Sequence, residues 1–226
     1  MRAGRDCPLD YRLTRDAFSG EPLFECDTLY VVGGLYGNRQ ALAALQRRLA
    51  AEPQARVVFN GDAHWFDRDP QIFQQIEQGI SAHLALRGNV ETELGRADDS
   101  GAGCGCAYPM TVDEAVVERS NAIQQELNRT VQELPGMAER LAARPSTALV
   151  SVAGKHVAIS HGDEQSLAGW SCSRETLNEA ARQQQLDAWF AAHKVQVLAT
   201  SHTCSAVALN LEHGALINNG AAGMPN

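Results

Sequence analysis

Residues 57–67, VVFNGDAHWFD, decide how this chain is read. Val57, Val58 and Phe59 run directly into Asn60-Gly61-Asp62 and then His64. A short apolar run closed by a Gly-Asp turn predicts a buried parallel strand that delivers a carboxylate at its C-terminal edge. In open α/β sheets that edge is where ligands bind. Asp62 is therefore the anchor, and other strands should bring partners to the same edge.

Working outward, 28–33 (TLYVVG) predicts a strand and NRQALAALQRRLAAEP a helix, with Leu42, Leu45 and Leu49 on one face and Pro53 closing it. A further strand is expected near 11–13. Beyond the anchor a helix opens at Pro70 and carries Ile72, Phe73, Ile76 and Ile80. HLALR at 83–87 is a third strand, ending in GNVETE. Residues 95–109 form a long Gly- and Cys-rich loop, and 111–143 are helical with a break at Pro135-Gly136. Strands at 147–152 and 156–160 flank a tight turn, and the second ends in Ser160-His161-Gly162-Asp163. Helix 174–193 carries Leu177, Leu186, Trp189 and Phe190, and strand 195–199 ends in Ser201-His202-Thr203-Cys204. Two last strands, 205–210 and 213–218, lead to NNGAAGMPN. With no repeat and no linker, the pattern predicts one α/β domain: two packed mixed β-sheets with helices outside.

The totals narrow the function. The chain of 226 residues is long enough for a sizeable core, and 44% apolar with 20% charged residues is an ordinary globular composition. A formal charge of −8 with no basic stripe argues against a nucleic-acid partner. No stretch reaches the roughly 18 apolar residues of a membrane span, and the N-terminus has no apolar signal region. Six cysteines in such a chain read as cytosolic thiols, so a cytoplasmic location is expected.

Four of the expected strands end in a metal-capable group: Asp62, Asn89, His161 and His202. Carboxylate, amide oxygen and imidazole suit a divalent ion such as Mn, Fe or Zn. A lone histidine is usually a satisfied core or surface residue, and His83, His156, His193 and His213 are read that way. Four such phrases at successive strand ends are a different matter.

At these positions the chain resembles the calcineurin-like metallophosphoesterases. Their five blocks read roughly D-x-H-G-N, G-D, G-N-H-D/E, H-G and G-H-T-H. Here they stand as Gly34-Leu35-Tyr36-Gly37-Asn38, Gly61-Asp62, Gly88-Asn89-Val90-Glu91, His161-Gly162 and Ser201-His202-Thr203-Cys204, in the same order from about residue 28 onward. The terminal INNGAAGMP also looks like the closing turn of that family. The resemblance implies one metal held by Asp62, Asn89, His161 and His202. It also implies a second metal at positions that are Gly34, Tyr36, Asp62 and Cys204 here, so one site is intact and the other degraded. The block-three histidine that assists the leaving group is Val90. Three replacement ligands are conceivable: His64 bent back from the edge loop, Cys204 as a thiolate, or Tyr36 as a phenolate. Against each stands a plainer role, as a hydrogen-bonding neighbour, a half-buried residue and a plug respectively.

The chemistry expected is hydrolysis of a phosphomonoester or phosphodiester by a metal-activated water, with Asp62, His202 and Arg87 catalytic and Arg87 and Asn38 also as substrate contacts. Asp163 and Glu164 could orient the His161 imidazole from behind. The partner is then a small phosphorylated substrate, with one divalent metal or two, and homo-oligomers are compatible with the sequence. An impaired member that only binds a phosphoryl ligand or a protein is the alternative, motivated by Gly34, Tyr36 and Val90. A redox or metal sensor using Cys104, Cys106 and Cys204 is a third.

Overall fold

A computed structural model describes residues 1–98 and 100–224; Pro225 of the expected closing turn lies outside them. The strands are β1 (Glu25–Cys26), β2 (Leu29–Val32), β3 (Arg56–Asn60), β4 (Leu84–Leu86), β5 (Thr147–Val152), β6 (Lys155–Ser160), β7 (Val197–Thr200), β8 (Val207–Asn210) and β9 (Ala215–Asn218). The helices are α1 (Arg39–Ala51), α2 (Pro70–Ile80), α3 (Asn89–Leu94), α4 (Glu114–Gln132), α5 (Met137–Ala142) and α6 (Ala180–His193).

Six strands form one sheet in the order β1-β5-β6-β7-β9-β8, and three form a second in the order β2-β3-β4. The expected sandwich is present, with one difference: the larger sheet is mixed and the smaller is wholly parallel. Alternation along β3 explains the layers. Val58 faces the seam between the sheets with Leu86, Val150, Ile159 and Ala199. Val57 and Phe59 face outward, under Leu42 of α1 and Ile76 and Ile80 of α2. The far side of the large sheet packs Ala158, Leu198 and Leu216 on Leu186 and Phe190 of α6.

The helix starts have local causes. Asn38 caps α1 by accepting from the Ala41 N–H at 2.9 Å. Asp69 caps α2, with Pro70 at the first helical position. The expected strand at 11–13 is instead a 3-10 turn, Leu9–Tyr11, followed by one isolated bridge between Arg12 and Ser166 in the loop after β6. Buried Tyr11 ties it down, its hydroxyl donating to Glu93 at 2.6 Å. The helix expected at 174–193 splits into a 3-10 turn, Thr176–Asn178, and α6, because Glu179 between them is extended. GNVETE holds the largest surprise: after Gly88 it opens the short helix α3, Asn89–Leu94, all six of whose residues are buried. Among the described residues no helix is long and apolar enough to cross a membrane.

Candidate metal centre

β3 and β4 lie side by side and parallel in the small sheet, as do β6 and β7 in the large one. Their C-terminal ends meet across the seam. Asp62 follows β3, Asn89 opens α3 after β4, His161 follows β6 and His202 follows β7. All four are at least nine-tenths buried. Gly88 allows this approach, since a Cβ there would strike the Asp62 carboxylate and the His161 ring.

Backbone carbonyls fix the chemistry of the two imidazoles. His161 Nδ1 lies 2.7 Å from the Asn60 carbonyl, and His202 Nε2 lies 2.9 Å from the Cys106 carbonyl. A carbonyl only accepts, so each of these nitrogens carries a proton, and whenever the ring is neutral the other nitrogen presents a lone pair. The inner atoms converge: His161 Nε2 is 3.2 Å from Asp62 Oδ2 and 3.1 Å from His202 Nδ1. One ligand atom from each of Asp62, His161 and His202 lies within 4.8 Å of the others. Three acceptors this close are held together by positive charge, a shared proton or a cation.

The ionisation pattern agrees. Burial disfavours a charged His161, yet the adjacent Asp62 carboxylate outweighs it and raises the pKa. Burial and the charge on His161 push His202 down to about 4. Burial works against ionised Asp62, but the histidines hold its pKa below the ordinary value.

Asn89 supplies the independent test of whether a metal fits. Its Nδ2 donates to the Cys104 carbonyl at 2.9 Å, which fixes the amide orientation. Its Oδ1 is buried with no hydrogen-bond partner. An orphaned amide oxygen on a residue that lines the same cavity as Asp62 and His202, together with a carboxylate and two imidazoles, makes a donor set that fits a divalent cation.

The second expected site is built differently. A Cβ on Gly34 would sit 2.6 Å from the Tyr36 ring, so that ring fills the space a side chain at 34 would take. Tyr36 Oη lies 2.8 Å from Cys204 Sγ. Burial raises both the phenol and the thiol above their ordinary values, leaving neutral groups bonded to one another. The three exchanged positions therefore pack as one plug. Gly34→Ala should cost about 1–3 kcal/mol in urea unfolding. Most of that cost should vanish in a Tyr36→Ala background, as a double-mutant cycle would read out.

Other expected contacts fall elsewhere. His64 does not bend back: it stacks on Phe73 at 3.7 Å, with Asp67 at 2.8 Å and Glu77 at 2.7 Å on its two nitrogens. Arg87 leaves the edge on the far side and donates to the Ala142 carbonyl at 3.0 Å, outside the cavity before Asp62. Both polar atoms of the Asn38 side chain are occupied, one capping α1 and the other donating to the Gly223 carbonyl at 2.8 Å. Asp163 accepts from the Gln165, Ser166 and Ser171 N–H groups, and Glu164 forms a two-pronged ion pair with Arg182. Neither supports His161. The Cys104 and Cys106 thiols are buried and not in a disulfide. The carbonyls of that loop touch Asn89 and His202, and the Cys106 thiol accepts from Asn89 Nδ2 at 3.6 Å.

The Glu77 cluster gives a pH prediction. Burial opposes its charge, but His64 and Arg144 bring its pKa from 4.5 to about 2. A carboxylate depressed in the fold stabilises above its unfolded pKa and loses that contribution as pH falls through the folded one. About 3 kcal/mol present above pH 4.5 should therefore be lost on acidification toward pH 2. Glu77→Gln should flatten that part of the stability profile in urea titrations.

Sequence reasoning missed Glu91. Its two oxygens accept from the backbone N–H groups of Asp62, Ala63 and Gly88, each at 2.8 Å. The signal was its place at the third position of a helix start, where a glutamate reaches back to the cap. Also missed were the aromatic walls of the cavity, Trp65, Tyr108 and Trp170. They are scattered along the chain without periodicity.

No family model and no curated protein matches the sequence. Solved structures do match. A hypothetical protein from Pyrococcus horikoshii OT3 superposes with a TM-score of 0.63 at 14% identity, over 88% of this chain and 79% of that one. A metallophosphoesterase from Sphaerobacter thermophilus superposes with a TM-score of 0.53 at 13% identity, over 87% of this chain and 77% of that one. At such identities the likeness is one of fold, and the chain has the α/β-sandwich fold of the metallophosphoesterases.

Proposed function

We propose that the chain is a divergent calcineurin-like metallophosphoesterase: a metal-dependent phosphoric ester hydrolase working from one metal site, held by Asp62, Asn89, His161 and His202. The orphaned Asn89 Oδ1, on the cavity that Asp62 and His202 also line, carries this reading together with the convergence of Asp62, His161 and His202. A bound divalent ion would supply a Lewis acid for a phosphoryl oxygen and lower the pKa of a water. The protein's part is orientation: Asn60 and Cys106 carbonyls hold the imidazole tautomers, and the Cys104 carbonyl aims the amide oxygen. The donor set of two imidazoles, one carboxylate and one amide supports Mn, Fe or Zn over Mg.

The test is metal content per chain after reconstitution with each ion, together with hydrolysis of a chromogenic phosphodiester. One tightly held ion with turnover is the expected result. No ion under any condition would sink the mechanism. A second reading, a binding protein without turnover, is favoured by the Tyr36–Cys204 plug. It predicts one ion, saturable phosphoryl-ligand binding and no hydrolysis.

A further inference from the structure

The cavity before Asp62, of about 340 Å³, has walls that differ from its floor. The floor is Asp62, Asn89 and His202; the walls are Tyr36, Trp65, Tyr108 and Trp170, with Val112 and Met224. Three of the four rings have their polar ends engaged by protein groups. Tyr36 Oη meets Cys204 Sγ at 2.8 Å, Tyr108 Oη meets Ser120 Oγ at 3.0 Å, and Trp170 Nε1 donates to the Cys106 carbonyl at 2.9 Å. Trp170 stands edge-on to the His202 ring with centroids 5.4 Å apart, and Tyr108 lies 5.7 Å from Trp170. An aromatic surface thus runs up to the candidate metal ligand. Although the chain has 19 lysines and arginines, none lines this cavity among the described residues.

We infer that the substrate is a phosphodiester monoanion carrying at least one aryl or comparably flat apolar group, and not a phosphomonoester dianion or a sugar phosphate. This rests on the single-metal reading above. A divalent ion with one carboxylate and three neutral ligands leaves one net positive charge, which a monoanion balances. A dianion would need a further cation, and no arginine or lysine provides it. Sugar hydroxyls would exchange water for a mostly aromatic wall in which three of the four rings already have their polar ends engaged. Apart from Asp62 and His202, the ionisable groups lining the cavity are phenols and thiols. An aryl oxide, less basic than an alkoxide, needs least help from a proton donor. In the hydrolysis, water forms the new P–O bond and the P–O bond to the aryl group breaks. The aryl oxide leaves with the bonding pair and takes one water proton as a phenol, while the other proton goes to the monoester.

Calorimetry on the Mn²⁺-loaded protein tests this, with the Mn²⁺ isotherm measured first. Diphenyl phosphate should bind at least about tenfold more tightly than dimethyl phosphate, inorganic phosphate or glucose 6-phosphate. Trp65→Leu should weaken diphenyl phosphate by about tenfold and dimethyl phosphate by less than about twofold, with the Mn²⁺ isotherm unchanged. If Mn²⁺ binds but inorganic phosphate or glucose 6-phosphate binds as tightly, or Trp65→Leu has no selective effect, the substrate inference is overturned and the metal centre stands. If Mn²⁺ does not bind, the metal centre falls and the inference with it.

Discussion

Asp62→Asn should remove the bound ion and, with it, turnover. The exchange is nearly isosteric, and Asp62 Oδ1 already accepts from the Val90 N–H at 3.2 Å, an interaction an asparagine oxygen can keep. The fold should therefore survive, with a circular dichroism spectrum like that of the wild type. What is lost is the only formal negative charge among the four donors. Loss of a partner behind a metal ligand typically costs 10–100-fold in affinity or activity, and loss of a charged ligand itself should exceed about 100-fold. Metal analysis after gel filtration and steady-state hydrolysis are the measurements. Turnover that survives unchanged in Asp62→Asn would rule out the mechanism.

Glu91→Gln should be the most damaging substitution to stability. The wild-type carboxylate, wholly buried, accepts three backbone N–H bonds from the turns at 61–63 and 88. A carboxylate offers enough lone pairs for all three; an amide turns an N–H toward one or more of these donors. Each buried donor left unpaired costs about 1–3 kcal/mol, so a loss of about 3–5 kcal/mol is expected. For a domain of this size that lowers Tm by roughly 10 °C. Because Glu91 organises the backbone on which Asp62 and Asn89 sit, metal affinity should fall in the same variant even below its lowered Tm. Thermal denaturation and a Mn²⁺ isotherm at low temperature separate the two effects. A Tm within about 2 °C of wild type would contradict this role.

The fold could be read in the sequence where a single physical signal dominated. The apolar run into Gly61-Asp62 gave β3, and the leucine spacing after Asn38 gave α1. Pro70 and Pro135-Gly136 marked helix boundaries that the structure keeps. Elements set by tertiary contact were not legible. β1 is two residues whose strand character comes from pairing with β5, and α3 is a single short helix wrapped around its own buried glutamate. The convergence of Asp62, His161 and His202 could be anticipated because strand ends in parallel pairs share an edge. The direction of long side chains could not. Arg87 sits next to the site in sequence and points away from it, and His64 is claimed by two carboxylates that lie 3 and 13 residues along the chain.

The donors come in pairs from opposite layers: Asp62 and Asn89 from the small sheet, His161 and His202 from the large one. Apolar contact across the seam is strong but non-directional, so by itself it tolerates small sliding of one sheet over the other. A cation gripped from both sides would be a rivet through the sandwich. Its binding free energy would then resist shear between the layers, and chelation should loosen amide protection along β3 and β6 together while leaving α6, on the outer face, unaffected.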